Sequence, residues 1–311
     1  MNGALIRWSL SCPSPEGWDY GDECYGIEPL ALPWPGDPWA IGPAEAAEVT
    51  DMWEELLRYR PLDARTADAE PETLYWFRWI TGHQMSFILW RLMSDVLEGH
   101  RDGHIDRDMA AEQLTLLVRA YAAMLEYTSR LPVDVYASVI RPSLRRLHPA
   151  FSGTWAPDYA PVRMLLTGRH AEFRTGTTRL WHSIVQLQKT HIQVARKLVP
   201  GGASLLAEAR NSWSMRQHPR QWGSVFDCAF LTVRTPLPRA DMISQMVRRA
   251  KAILIDVDTN DLDKPDPYDA AIPAGRTGKD MSEQDGTISE LVLETTTWAL
   301  SRTRPVMGGA L

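Results

Sequence analysis

Cysteine is scarce: three in 311 residues, Cys12, Cys24 and Cys228, with no Cys-x-x-Cys pair. That excludes a disulfide framework and a cysteine-built zinc site. Lysine is sparse too, with five residues, and the net charge is −6. A mildly acidic chain lacks the clustered positive charge that general nucleic-acid binding needs, so no nucleic-acid partner is expected. No apolar run approaches a membrane span, and the N-terminus carries no signal-peptide core; a cytoplasmic protein with no membrane contact is expected. Phenylalanine is low at 6, whereas tryptophan stands at 13. With 44% hydrophobic and 23% charged residues, whole-chain disorder is excluded, and the tryptophan excess points to aromatic packing or an aromatic-lined cavity.

Residues 1–43 are crowded with proline (Pro13, Pro15, Pro29, Pro33, Pro35, Pro38, Pro43) and hold Trp8, Trp18, Trp34 and Trp39. Such a segment cannot be a long helix, and its aromatics mark an extended arm packed over the body or over a second subunit. The rest, 44–311, reads as one helical domain. Helices are expected over 44–60, 72–99, 107–130, 133–147 (disturbed at Pro142), 178–199, 241–255 and 288–300, from apolar steps of three and four between proline and glycine stops. Residues 148–161 read as a loop, 228–234 as the one strand, and 256–287 as a mobile acidic surface loop. The fold class is mainly α, a single-domain helical bundle with an extended N-terminal arm.

Familiar motifs fail. Asp256, Asp258 and Asn260 mimic a calcium loop, but Asp261 stands where its glycine should be and Pro267 where its glutamate should be. Gly278-Lys279 lacks the upstream glycine of a phosphate loop. Two histidines remain. His83 shares a stripe with Trp76, Ile80, Phe87 and Trp90, and His191 shares one with Leu180, Ile184, Leu187, Val194 and Leu198. Singly, each fits a satisfied core histidine. Together, on two long helices of a tryptophan-rich chain, they also fit an iron ligand and an acid–base group facing one pocket.

Glu72 through Gln84 resembles the distal helix of the tryptophan 2,3-dioxygenase superfamily, which carries Thr-His-Gln and then an aromatic, Leu/Trp-rich run. Here the match is His83-Gln84 followed by Ile88, Leu89 and Trp90. Phe87 departs from the acidic residue of the dioxygenases, and Gly82 is inserted between Thr81 and His83. Met124 to Thr128 resembles that family's Ile-Leu-Glu-Thr-Met helix, and Pro149 to Gly153 its Pro-Ala-Ser-Gly-Phe-Gln loop. Arg163 is similar to the arginine that clamps the substrate carboxylate, three residues further on than in the family. His191 to Leu198 resembles the proximal-ligand helix. Pro200 to Ser204 stands where the dioxygenases have Gly-Thr-Gly-Gly-Ser, without the substrate-holding threonine.

These departures, spread over roughly 72–210, look more like the related bacterial haem-dependent L-tyrosine hydroxylases, histidine-ligated haem oxygenases of antibiotic pathways. The resemblance implies ring hydroxylation of L-tyrosine to L-DOPA by hydrogen peroxide, or by O2 with a reductant. It implies His191 as the proximal iron ligand and His83 as the acid–base residue. Trp76, Phe87, Trp90 and Phe151 would pack haem or the substrate ring; Arg163 and Ser204 would bind substrate. Ser204 fits a helix N-cap equally well. A neighbouring branch, the 3-methyltyrosine hydroxylases, attaches haem through a cysteine four residues after a histidine. Position 195 is alanine, so non-covalent haem b is expected. A ring-opening tryptophan or indole 2,3-dioxygenase is the alternative enzyme; a haem sensor or a haem-free interaction protein is the alternative of another class. The arm suggests a homo-oligomer, dimer or tetramer.

Overall fold

The fold is seen in a computed structural model, which describes residues 26–40, 71–173, 178–199, 204–209, 219–264 and 286–302. The expected helix at 44–60 and most of the 256–287 segment lie outside the described residues. So does residue 195's downstream neighbourhood at 200–203.

Helix α1, Pro71–Arg101, opens on a proline, whose fixed φ suits a first helical position. Helix α2, Arg107–Thr128, starts at Asp106, whose carboxylate accepts the Met109 N–H at 2.8 Å. The two pack tightly because Gly82 lies at their crossing: a Cβ there would collide with Thr128 Cγ2. The glycine that breaks the family pattern therefore has a steric reason.

A turn, Val133–Val135, leads into a π-helical turn, Tyr136–Ile140, and then helix α3, Arg141–Leu147. The disturbance falls before Pro142, not at it. Within the expected loop, a 3-10 turn covers Gly153–Trp155 and helix α4 covers Tyr159–Leu166. Helices α5, Thr178–Leu198, and α6, Leu205–Ala209, follow. Helix α7, Pro219–Ala229, overturns part of the expected 228–234 strand; only β2, Thr232–Arg234, is extended. Helix α8, Arg239–Thr259, runs four residues past its expected end, and α9, Ile288–Ser301, begins with a Thr287/Glu290 capping box.

The described part of the arm does more than lie over the body. Leu30–Leu32 forms β1, paired in parallel with β2 (Leu30 opposite Thr232, Leu32 opposite Arg234), and both leucines are fully buried. The far edge of β1 is closed by a side chain. Gln245 Oε1 accepts the Ala31 N–H at 2.8 Å, and its Nε2 donates to the Ala31 carbonyl at 3.1 Å.

Helix α2 is the hub: it packs against α1, α5 and α9, while α8 packs against α9, α1 and β1. One continuous apolar core joins them. Buried ion pairs pin the layers. Arg78 on α1 grips Asp256 on α8 through Nε at 2.8 Å and Nη2 at 3.0 Å, and Tyr127 on α2 donates its hydroxyl to the same carboxylate at 2.8 Å. Arg234 uses all five N–H groups: on Asp227, on Asp158 and on the Pro33 carbonyl, tying arm, loop, α7 and β2 together.

Candidate functional site

His83 sits mid-way along α1 with its ring held on several sides. Nδ1 lies 2.6 Å from the Trp79 carbonyl, one turn back. A carbonyl has no proton to give, so Nδ1 carries the hydrogen and donates it. The Trp79 ring is 4.4 Å away and tilted, and Phe230 stacks on the imidazole at 4.5 Å and 21°. Phe87 meets it edge-on at 6.4 Å. Burial among these rings lowers the His83 pKa from 6.5 to about 4, against the opposing pull of the Trp79 carbonyl. At neutral pH the ring is therefore uncharged, with its lone pair on Nε2.

The accessibility pattern along α1 locates an opening. Trp79, Phe87 and Trp90 share His83's stripe and are buried, at 8%, 0% and 5% exposure. His83 between them is only half-buried. The ring thus borders accessible space although protein surrounds it.

His191 repeats the pattern more strongly, and corrects an expectation: it is exposed, not part of a continuous inward stripe. At roughly 100° per residue it points between Ile184 and Leu187 and within about 20° of Leu198. Those three are 2%, 3% and 6% exposed. The apolar face of α5 is closed at both ends and open at His191 and Ala195. Surrounding protein mass still lowers the His191 pKa.

Helix α2 relates the two openings. Gly82, next to His83, abuts Thr128, and Lys197 on α5 donates to the Ser129 carbonyl at 2.7 Å. His191 lies six residues, ~9 Å, before Lys197 along α5. Gly82 and Lys197 therefore both meet the C-terminal end of α2, on two helices that pack against it. No hydrogen bond or ring contact joins His83 to His191.

The remaining expected site residues divide. Phe87, Trp90 and Phe151 are buried in an aromatic cluster: Phe87 packs on Trp90 at 5.5 Å, and Phe151 stacks on Phe226 at 5.7 Å. Trp76 is half-buried. Arg163 is exposed on α4, where its charge is felt at the phenol of Tyr159, which packs on Trp90. Ser204 acts as a cap: its hydroxyl accepts the Ala207 N–H at 3.1 Å at the start of α6.

Sequence reasoning missed α7 and the residue after it. Trp222, Phe226 and Phe230 recur every four residues, a helical signal; Phe226 and Phe230 close the aromatic cluster over His83, while Trp222 packs on Trp155. Tyr136, on the π-helical turn, packs behind Trp79 at 5.5 Å; nothing in its local sequence marks it.

Among the described residues no group of three or more His, Cys, Asp or Glu side chains gathers to hold a bare metal ion. A haem asks less of the protein, one imidazole with room to approach it, and the exposed His191 offers that. The residues fit the group.

A helical chain with an uncharged, tethered imidazole in an aromatic pocket fits an oxidoreductase acting on an aromatic compound. Residues 37–183 match the protein-family model described as SfmD 3-methyl-L-tyrosine peroxygenase. The match spans a little under half of the chain. It takes in His83, Phe151 and Arg163 and stops short of His191. In a comparison with curated proteins, nothing matched significantly. No helix among the described residues is long and apolar enough to cross a membrane.

Proposed function

We propose that this chain is a haem-dependent peroxygenase that hydroxylates a tyrosine-type amino acid ortho to its phenol. The observation that supports it best is the pair of histidines: His83 is less buried than Trp79, Ile80 and Phe87 around it on α1, and His191 less than Ile184, Leu187 and Leu198 on α5. His191 would hold the iron through a ring nitrogen. Ala195 and the absence of a nearby cysteine make the haem non-covalent. When bound, the haem supplies a redox iron at which peroxide is activated, and the overall change balances as phenol plus H2O2 giving catechol plus water.

The protein's own residues do the rest. His83 Nε2 accepts a proton from peroxide or from the phenol, and can return it to the departing oxygen. Its Nδ1–H bond to Trp79 keeps the ring in one tautomer and one orientation. Phe87 and Phe230 keep water from its faces. Arg163 pairs its guanidinium with the amino-acid carboxylate through two parallel hydrogen bonds.

L-tyrosine, converted to L-DOPA, is the first substrate. The family match favours 3-methyl-L-tyrosine as the second. The deciding experiment supplies haem-loaded protein with hydrogen peroxide and each amino acid in turn. A product heavier by one oxygen, with a catechol spectrum, is expected. A colourless protein despite full haem supply sinks the reading. A formylkynurenine-type product from tryptophan replaces it with the ring-opening dioxygenase.

A further inference from the structure

We infer that Phe230, locked in place by the Gln84–Arg249 pair, is the positioning residue for the His83 imidazole. The inference rests on reading His83 as the acid–base group of the proposed reaction, and it comes from a closed loop of contacts. Gln84 follows His83 in sequence but points away from it, into the core. Its amide is fully used: Nε2 donates to the Phe230 carbonyl at 2.9 Å and to the Glu28 carbonyl at 3.0 Å, and Oε1 accepts Arg249 Nε at 2.9 Å. Gln84 and Arg249 are both wholly buried. Arg249 is anchored in turn by the carbonyls of Glu28, Pro29 and Gln245. The residue beside His83 thus grips the backbone of the residue whose ring covers His83.

The backbone at this point is shaped for the purpose. Leu231 takes a left-handed conformation, φ +50°, which a branched side chain rarely adopts. It is held there on both sides: Phe230 O by Gln84, and Leu231 O by the Leu30 N–H at 3.0 Å. Such a turn persists only when its surroundings over-determine it. It directly follows Phe230, the first residue beyond α7, and leaves that ring within 21° of parallel to the imidazole. Phe230 covers one face of His83 and Trp79 crowds the ring from a tilt, so the Nε2 edge is the part left to meet substrate. The groups in ring contact with His83 are Trp79, Phe87 and Phe230; the titratable side chain behind them is Tyr136.

The test uses the full chain, with and without haem. In Phe230→Leu, thermal stability and KM should hold within about twofold, while kcat falls about tenfold. In haem-free protein, nitrogen NMR should show the His83 titration moving up toward its ordinary value and the fixed Nδ1–H tautomer giving way to a mixture. Phe230→Tyr, which restores a ring, should rescue both. Gln84→Glu keeps the Arg249 contact but cannot donate to the Phe230 carbonyl, and should reproduce the NMR change. An unchanged tautomer and titration in Phe230→Leu overturns the inference, as does a loss that Phe230→Tyr does not rescue. The haem-free arm reads the imidazole even if the wild type turns nothing over, so failure of the haem reading and failure of this one remain distinct.

Discussion

The two histidines make an instructive pair. His83 is held by a backbone carbonyl and crowded by three rings, one of them fixed from behind by Gln84. His191 has buried leucines above and below it and accessible space in front of it. An acid–base group must present one nitrogen in one protonation state, so its surroundings are built before substrate arrives. An iron ligand needs an accessible nitrogen and room for a large planar group. Under the proposed function, that contrast fits chemistry at His83 and attachment at His191.

The sharpest way to break that assignment is to remove each ring. His191→Ala should abolish haem uptake, read as loss of the Soret band in protein reconstituted with excess haem. His83→Ala should keep the Soret band and lose about 10²- to 10⁴-fold in turnover. If His83→Ala loses haem and His191→Ala keeps it, the roles are exchanged.

The next effect concerns how firmly α1 holds His83. Asp256→Ala removes the buried carboxylate that takes two hydrogen bonds from Arg78 and one from the Tyr127 hydroxyl. Breaking a buried ion pair by removing one partner costs about 3–5 kcal/mol. Urea unfolding should show a midpoint shift of that size. A loss under 1 kcal/mol would mean that water reaches the guanidinium.

Much of the helical frame was legible because steps of three and four, bounded by proline and glycine, are local signals. Most apolar members of the His83 and His191 stripes are buried, but the histidines themselves are not. What periodicity cannot show is where a stripe fails to find a partner. Leu187, His191 and Leu198 look alike on a helical projection, and only packing reveals the gap at His191. The Trp222-Phe226-Phe230 spacing was readable, yet the β-rich stretch after it, Phe230 to Val233, drew the boundary too early. The pairing of β1 with β2 joins segments some two hundred residues apart, a separation that no local signal spans. Gln84 was noticed only as part of a motif; its partner Arg249 lies far along the chain, so its role as a strut was invisible.

A pH experiment sharpens the contrast between a tethered imidazole and its surroundings. The His83 pKa is lowered from 6.5 to about 4. As pH falls through 6.5 the unfolded chain takes up a proton that the folded protein refuses until about 4, so stability is lost across that window. For a half-buried group the loss is ~2 kcal/mol. Asp95 works the other way: burial raises its pKa from 3.8 to about 6, so the folded state gains stability as pH falls between those values. The two partly cancel in the wild type. His83→Gln should therefore lose less stability than wild type between pH 7 and 4, and Asp95→Asn should lose more. Parallel curves for all three proteins would show that neither shift is present.

The smallest expected effect lies on the face of α1 opposite His83. There Met85 and Leu89, with Met124, Met246, Thr295 and Thr296, line a small apolar cavity. The hydroxyls of Thr295 and Thr296 are buried and have no hydrogen-bond partner among the described residues. Thr296→Val keeps the shape and removes an unsatisfied group, which should stabilise the fold by ~1 kcal/mol. Turnover should not change, because the substitution touches neither the Phe230 ring nor the Gln84 strut. Destabilisation instead would show that an ordered water fills the cavity and satisfies both hydroxyls. A change in turnover would show that α1 transmits packing from this face to His83, and the tether at Trp79 would then not be what fixes the ring.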